Sequence, residues 1–245
     1  ERARLRWSRD RVSPSITLAG GTLLDPSVLT LGFGRRFATY KRADLLFHDM
    51  GRLKKLLTDR WRPIQIIFAG KAHPADDPGK QIIQRVFNAA RDPETGGRIA
   101  FVEDYGEQLA QYLVHGVDVW LNNPLPPFEA CGTSGMKAAL NGVPHLSGVD
   151  GWWGEGFNGK NGWAVDHDAN SENPDGSDAE KIYRLLEDQI IPLYYQMSEN
   201  GIPLEWVRLM KATMKSAAAA FSARRMVKQY IEKFYASSIE HTLED

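Results

Sequence analysis

Residues 117–142 read VDVWLNNPLPPFEACGTSGMKAALNG. The stretch begins with a short apolar run, Val117–Asn122, passes through a loop of mostly small residues and ends in a predicted helix, Ser134–Leu140. A buried strand followed by a loop and a helix is the repeating unit of an α/β fold. Thr133 is a good helix N-cap and Gly142 a good helix stop, so the sequence marks both ends of this helix.

One lysine, Lys137, lies a single turn inside the predicted helix. It follows Thr133 by four residues, which places both on one helix face about 6 Å apart along the axis. The start of a helix offers free backbone N–H groups and a positive dipole end to a phosphate. The spacing therefore suits pyridoxal phosphate, with its phosphate on the helix end and its aldehyde joined to the lysine amine as a Schiff base. For such a string taken alone, a surface lysine on a tight turn is the commoner explanation.

The composition is that of an ordinary globular protein. The chain has 245 residues, of which 42% are hydrophobic and 25% charged, and its formal net charge is −1. This charge gives no global electrostatic argument for binding nucleic acid or an anionic membrane. The single cysteine, Cys131, excludes an intrachain disulfide and favours a reducing, cytoplasmic compartment. No apolar run reaches the roughly 18–20 residues of a membrane span.

Short apolar runs alternate with helical stretches along the chain. This alternation predicts a doubly wound α/β domain with a parallel sheet, whose ligands bind beyond the carboxyl ends of the strands. The predicted strands are Val28–Phe33, Ile64–Ala69, Ile99–Glu103, Val117–Asn122, Pro144–Ser147 and Gly162–Val165. The predicted helices are Tyr40–Thr58, Gly79–Arg91, Tyr105–His115, Ser134–Leu140, Ala179–Asn200, Pro203–Ala220 and Ser222–Ser237.

Three segments are expected along the chain. Residues 1–20 are rich in arginine and are interpreted as a linker, the remnant of a missing N-terminal domain. Residues 21–178 are expected to form a Rossmann-like domain that binds cofactor and phosphate, and residues 179–245 a C-terminal helical extension. Within them, residues 167–178 (HDANSENPDGSD) have the composition of a flexible surface loop.

A basic motif, GFGRRFATYKR, occupies residues 32–42. It fails as a dinucleotide-binding fingerprint because the third glycine is absent. Arg36 and Lys41 are five residues apart across a predicted loop-to-helix join, where both cations can converge on one anion. Cations at a helix N-terminus oppose the helix dipole, which favours a bound anion that offsets their charge. A solvated helix start is the alternative.

Five motifs in order carry a resemblance to a known family. They are GFGRRFATYKRADLLF, FAGKAHPADDPGKQII, FVEDY, the stretch 117–142 quoted above and GVDGWWGEGFNGKNGWAV. Across residues 28–165 the chain resembles the C-terminal domain of an α-glucan (glycogen, starch or maltodextrin) phosphorylase, in particular of the short bacterial and archaeal type. The resemblance implies a Rossmann-like sheet that forms the C-terminal half of a GT-B type glycosyltransferase.

The resemblance implies roles for individual residues. Lys137 would hold pyridoxal 5′-phosphate, while Arg36 and Lys41 would bind the substrate phosphate. Further cofactor contacts would come from Arg35, Tyr105, Thr133 and Ser134. Contacts to the glucosyl unit would come from Glu129, Ala130, Cys131 and Gly132. Two positions depart from the usual family pattern, since Gly106 stands where an arginine is common and Cys131 where a serine is common.

The implied activity is retaining phosphorolysis of an α-1,4-glucan, which transfers a glucosyl unit to inorganic phosphate and gives glucose 1-phosphate. Pyridoxal phosphate would act through its phosphate group, whose second pKa of about 6 suits proton transfer near neutral pH. Without an N-terminal domain to close the cleft, the isolated chain is expected to be inactive or nearly so. Homo-oligomerisation is left open.

Two other functions remain as alternatives. A nucleotide-sugar retaining glycosyltransferase, similar to glycogen synthase, shares the architecture and the Glu-x-x-Gly sugar loop but needs no Schiff-base lysine. A non-catalytic glucan-binding module is the second alternative. The placement of the TSGMK string disfavours both.

The remaining motifs support structural expectations. His48, His115 and His145 are dispersed without metal-ligand spacing, so we expect structural histidines and no metal site. Trp152 and Trp153 either shape a sugar subsite or pack between domains.

Overall fold

A six-stranded parallel sheet forms the centre of the molecule. The computed structural model describes residues 24–103, 105–236 and 238–239, so the linker expected at residues 1–20 lies outside the described residues. The strands are β1 (Leu29–Gly34), β2 (Ile64–Ala69), β3 (Ile99–Val102), β4 (Val119–Asn122), β5 (His145–Gly148) and β6 (Gly162–Val165). Their order in the sheet is β3-β2-β1-β4-β5-β6, and every neighbouring pair is parallel. The order reverses between β1 and β4, which makes this point the topological switch of the sheet.

Helices connect the strands and continue beyond the last one. They are α1 (Met50–Thr58), α2 (Asp77–Arg91), α3 (Glu107–Gly116), α4 (Thr133–Leu140), α5 (Trp152–Gly156), α6 (Pro174–Leu185), α7 (Ile191–Tyr195), α8 (Leu204–Ala220) and α9 (Ala223–Tyr230). A π-helical turn, Leu186–Ile190, joins α6 to α7, and a second, Ile231–Tyr235, follows α9.

Apolar cores cover both faces of the sheet. On one face Leu31, Phe33 and Phe68 belong to a core that includes side chains of α1, α2 and α6. On the other face Trp120 packs in a second core with side chains of α3 and α4. Strands buried on both faces are apolar without alternation, which is the pattern in the sequence. The predicted doubly wound α/β fold is confirmed.

The predicted strands agree with the structure to within two residues at each end, but two predicted helices are wrong in part. The helix predicted over Ala179–Asn200 begins at Pro174, includes the π-helical turn Leu186–Ile190 and ends at Tyr195. Instead of a single helix over Tyr40–Thr58, the chain forms two 3₁₀ turns, Thr39–Lys41 and Leu45–Asp49, before α1 begins. The cause is Arg42, whose backbone is left-handed (φ 44°, ψ 50°) and ends the first turn. The short helix α5 was not predicted.

The helices that follow residue 178 share the first core of the sheet. Ile182 and Tyr183 of α6 and Trp206 of α8 are all buried in it. The expected surface loop at 167–178 is wrong in its second half, because α6 begins at Pro174 with the Asn173 side chain as its cap. A domain boundary between residues 178 and 179 stays a prediction. Among the described residues, no helix combines the length and apolarity that crossing a membrane requires.

The first core offers a direct test of the packing. Phe68 is fully buried and contacts the rings of Phe33 and Phe47. We expect Phe68→Ala to lower the free energy of unfolding by about 3–5 kcal/mol, because it leaves a cavity in a close-packed core. Urea denaturation measures the change. The matched control is Trp61→Ala, since Trp61 is 77% exposed and its loss should cost about 1 kcal/mol or less. Equal losses in the two variants would contradict this packing.

Candidate functional site

A cavity of about 970 Å³ lies at the switch point of the sheet. Its walls are Gly34 and Arg35 at the end of β1, the segment 129–134 that follows β4, and residues of α3 and α4. Parallel sheets bind ligands at this position because the loops at the carboxyl ends diverge there. The volume lies at the upper end of the range for small-molecule sites.

The structure brings nearly all the residues predicted for the site together. The cavity is lined by Arg35, Lys41, Tyr105, Glu129, Ala130, Cys131, Gly132, Thr133, Ser134 and Lys137. Arg36 is the exception, because it is exposed and does not line the cavity. Its role in binding a phosphate stays a prediction.

The argument that placed an anion near Arg36 and Lys41 needs correction. No α-helix begins at Lys41, which ends a 3₁₀ turn, and α1 starts only at Met50. A helix dipole therefore gives no reason for an anion at this turn. The charge of Lys41 is instead offset within the chain by the carboxylate of Glu129.

Two buried cations share one carboxylate at the floor of the cavity. Lys41 Nζ lies 3.0 Å from Glu129 Oε2, and Arg35 Nη2 bonds to the same oxygen. Side chains of all three residues are nearly excluded from solvent. Two positive groups on one negative group leave the cluster with a net positive charge, which favours an anion in the cavity.

Arg35 has unused hydrogen-bonding capacity. Its backbone is fixed by the bond from its N–H to the carbonyl of Ala69 (3.0 Å), and Gly70 approaches so closely that a Cβ there would lie 2.0 Å from the Arg35 carbonyl oxygen. The Nε and Nη1 atoms are buried and find no hydrogen-bond partner among the described residues. Burial lowers the pKa of the guanidinium, and Glu129 partly offsets the effect. Two of its three side-chain nitrogens therefore keep hydrogen-bonding capacity that the described residues do not use.

Helix α4 begins with its first residues against the cavity. The N-cap is Gly132 at φ +81°, not Thr133 as predicted, and no described side chain caps the helix. Gly132 adopts this backbone angle without the steric cost that a Cβ would add. Thr133 and Ser134 line the cavity, so the positive end of the helix dipole lies beside it. The helix ends as predicted, with Gly142 at φ +80° just beyond it.

The loop that precedes α4 is tied to the start of α5. Glu129 N–H donates to Asp150 Oδ2 (2.8 Å), and Trp152 N–H donates to the carbonyl of Cys131 (2.8 Å). Gly151 lies at φ +54°, and a Cβ there would come within 2.6 Å of the same carbonyl oxygen. These contacts fix the Glu129 backbone and thereby orient its carboxylate toward the two cations.

Lys137 and Tyr105 form another part of the cavity wall. Lys137 is exposed, and its Nζ makes no hydrogen bond or ion pair within the part of the chain that the structure describes. Burial raises the pKa of Tyr105 to about 12, so its hydroxyl stays protonated at neutral pH. Gly34 allows Tyr105 to approach, since a Cβ at Gly34 would lie 2.8 Å from the Tyr105 hydroxyl. Because Lys137 is exposed and lines the cavity, its amine is accessible to a ligand there.

The ring of His145 packs against α4 at Gly135. It is fully buried, stacks on Trp153 at 4.8 Å and contacts Trp152 edge-on at 5.3 Å. A Cβ at Gly135 would lie 2.0 Å from His145 Cε1, so glycine is required where the helix passes over the ring. Burial and the charge of Arg35 lower the pKa of His145 to about 3, and the imidazole is neutral. His145 is structural, as expected, and the two tryptophans pack rather than line the cavity.

One face of α3 was missed by the sequence argument. The residues of α3 that line the cavity are Glu107, Ala110, Gln111, Val114 and His115. Their spacing of i, i+3, i+4, i+7 and i+8 is that of a single helix face, which could have identified them. His115 therefore lies at the site rather than in a purely structural position.

Comparison with known proteins places the chain in a family. A model of the carbohydrate phosphorylase family matches residues 10–153, which is more than half of the chain and includes Lys137. The chain belongs to the carbohydrate phosphorylase family. The matched region contains all the predicted site residues.

Several phosphorylases are similar to this chain along most of its length. The glycogen phosphorylase of Aquifex aeolicus is 60% identical over 241 residues, which are 98% of this chain and 35% of the relative. The maltodextrin phosphorylase of Thermococcus litoralis is 47% identical over 223 residues, covering 90% of this chain and 26% of the relative. A glycogen phosphorylase of Mycobacterium tuberculosis is 46% identical over 244 residues, or 98% of this chain and 28% of the relative. The chain thus spans about a third or less of these phosphorylases.

The buried histidine of this phosphorylase chain predicts a specific pH dependence. In the unfolded chain His145 should take up a proton near its ordinary pKa of 6.5, whereas the folded protein resists protonation down to about pH 3. Stability is therefore lost as the pH falls below 6.5. Between pH 7 and pH 5 this group should contribute a loss of about 2 kcal/mol.

Urea unfolding of wild type and His145→Gln at the two pH values measures this contribution. The variant should lose about 2 kcal/mol less than the wild type over the same interval. His48→Gln is the control, because His48 is exposed and its removal should leave the slope unchanged. An unchanged slope in His145→Gln would show that the ring titrates normally in the folded state.

Proposed function

We propose that this chain is the cofactor- and phosphate-binding part of an α-1,4-glucan phosphorylase, with Lys137 as the attachment point of pyridoxal 5′-phosphate. The observation that carries the proposal is one cavity lined both by a lysine without a partner among the described residues and by a buried arginine, two of whose nitrogens also lack one. Such a cavity needs a ligand with an anionic group and a group that reacts with an amine. Pyridoxal phosphate has both.

The residues present fit this cofactor. Its phosphate would be held by Arg35 and by the start of α4 at Thr133 and Ser134, all of which line the cavity. Lys137 would hold its other end, and Tyr105 would pack beside it. When bound, the cofactor supplies a phosphate monoester with a second pKa of about 6, which can give and take a proton near neutral pH.

The chain's own residues would bind the substrates in the same cavity. Lys41 is a point charge suited to inorganic phosphate, and it is held in place by the carboxylate of Glu129. Glu129 and the backbone of residues 130–132 would accept and donate hydrogen bonds to the hydroxyls of the glucosyl unit. Two phosphates in one cavity repel each other, and the net positive charge of the Arg35–Glu129–Lys41 cluster lowers that cost.

The proposed reaction is reversible and retains the configuration at the anomeric carbon, with an α-glucan and inorganic phosphate as substrates and glucose 1-phosphate as product. An oxocarbenium-like transition state needs nearby negative charge, which the substrate phosphate supplies once Lys41 orients it. Trp152 and Trp153 contribute only by fixing the loop, because both are buried under α4. The family match favours this reaction over that of a nucleotide-sugar glycosyltransferase.

The relatives are much longer than this chain, and the part that it does not match matters for the proposed phosphorolysis. The Aquifex aeolicus glycogen phosphorylase is about three times as long as the part that this chain matches. We propose that phosphorolysis needs the rest of that length to close the cleft, as in a two-domain GT-B enzyme. The chain by itself is then expected to bind the cofactor without measurable phosphorolysis.

Spectroscopy tests the proposed attachment. Wild-type chain mixed with pyridoxal phosphate should develop the visible absorption band of the lysine-bound cofactor, and Lys137→Ala should not, because the reacting amine is gone. The control is Lys55→Ala, which removes an exposed lysine of α1 outside the cavity and should leave the band intact. A band of equal strength in Lys137→Ala, or its absence from the wild type, would contradict the proposal. An absent wild-type band with retained glucan affinity would favour the non-catalytic binding module.

A further inference from the structure

Arg42 is a buried cation with no place in the cavity. It is the residue whose left-handed backbone ends the turn Thr39–Lys41, and its side chain is 7% exposed. It does not line the cavity, and its charge is offset on the far side by Asp178, which is 1% exposed. A buried arginine of this kind does not bind the substrates itself, so its contacts point to another task.

The guanidinium of Arg42 connects two parts of the chain. Its Nε donates to the carbonyl of Asn123 (2.9 Å) and its Nη2 to the carbonyl of Pro124 (3.0 Å), both just beyond β4. Its Nη1 donates to Asp175 (2.7 Å) and Asp178 (2.8 Å) in α6. A planar guanidinium fixes its acceptors in direction as well as distance. Arg42 therefore fastens the start of the β4–α4 loop to α6.

The same loop is bonded directly to the turn that carries Lys41. Leu125 N–H donates to the carbonyl of Tyr40 (2.7 Å), and Asn123 Nδ2 donates to the carbonyl of Arg42 (3.3 Å). The turn ends at Lys41, and the loop reaches Glu129 four residues after Leu125. The 3.0 Å contact between Lys41 Nζ and Glu129 is therefore set by how turn and loop are joined.

Asp178 keeps the guanidinium in this orientation. Its Oδ2 accepts from Arg42 and is also bonded to His167 Nδ1 at 2.7 Å, so the carboxylate is held from two sides. Asp178 lies in α6, whose apolar face is buried in the core of the sheet. The bonds of Arg42 thus set the position of the turn Thr39–Lys41 relative to a packed helix, α6, and not relative to a surface loop.

We infer that Arg42 is a positioning residue that sets Lys41 against Glu129, and that Asp178 orients it from α6. The inference rests on the proposed function for the binding of phosphate by Lys41. A displacement of about 1 Å in a charged group weakens binding and catalysis strongly, since its interactions depend on distance and direction. Loss of Arg42 should therefore weaken phosphate binding without removing any group that touches phosphate.

The variants are chosen to separate an effect on the position of Lys41 from an effect on the stability of the fold. Arg42→Gly keeps the backbone conformation, because glycine adopts φ 44° without strain, and removes only the side chain. Since that change removes the cation that offsets Asp178 and leaves His167 as its remaining hydrogen-bond partner, the second variant combines it with Asp178→Asn, so that no buried carboxylate loses its counter-charge. The matched control is Arg52→Ala, because Arg52 also pairs with two carboxylates, Glu180 of α6 and Glu187 of the following turn.

Calorimetric titration of the chain with inorganic phosphate is the test. We expect both Arg42 variants to bind phosphate at least about tenfold more weakly than the wild type, and Arg52→Ala to stay within about twofold. Hydrogen exchange should show faster exchange of the Leu125 amide in the Arg42 variants and not in Arg52→Ala. Wild-type affinity in the double variant, an equal loss in Arg52→Ala, or no phosphate binding by the wild type would each overturn the inference.

The outcome is separable from the proposed function. Lys137 lies in α4 and not in the turn that carries Lys41, so we expect the visible band to persist in Arg42→Gly. If the band forms and the Arg42 variants bind phosphate as tightly as the wild type, the positioning role of Arg42 is refuted and the proposed function is not. A chain that forms no band refutes the proposed function.

Discussion

The ion pairs of the Glu129 carboxylate connect three segments of the site. The carboxylate pairs with Arg35 at the end of β1 and with Lys41 in the turn that follows, and it belongs to the loop after β4. These three segments meet only because β1 and β4 are neighbours at the switch point of the sheet. One negative charge between two buried positive charges leaves a positive surplus, and Arg35 and Lys41 both line the cavity.

Close backbone approaches hold the rest of the cavity around that contact. Gly34 admits Tyr105, Gly70 lets the end of β2 lie against Arg35, and Gly135 lets α4 pass over His145. A side chain at any of the three would collide with atoms less than 3 Å away. The cavity is therefore shaped by the sheet and by packed rings, while its walls carry the polar groups. Such an arrangement fixes the charged side chains before any ligand arrives.

Ten of the eleven residues proposed for the site line one cavity, since motifs at strand ends lie together in a parallel sheet. The sequence also predicted the sheet and its strands to within two residues at each end, because apolar runs are a local signal. It failed where tertiary contacts decide local structure. The left-handed Arg42 breaks an apparently helical stretch, since its guanidinium is bonded to residues 123–124 and to α6, far along the chain. Arg36 was grouped with Lys41 by spacing and by the family resemblance, and it does not line the cavity. Gly132 rather than Thr133 caps α4.

The proposed function rests on the proposed attachment of pyridoxal phosphate at one lysine. Reduction of the wild-type chain with borohydride in the presence of the cofactor, followed by peptide mapping, identifies the amine that has reacted. Stoichiometric labelling confined to the peptide that contains Lys137 is the result expected. Two lysines of the described structure line the cavity, and Lys41 is paired with Glu129, whereas the Lys137 amine has no such partner among the described residues. Labelling spread over exposed lysines, or absent from Lys137, would contradict the assignment.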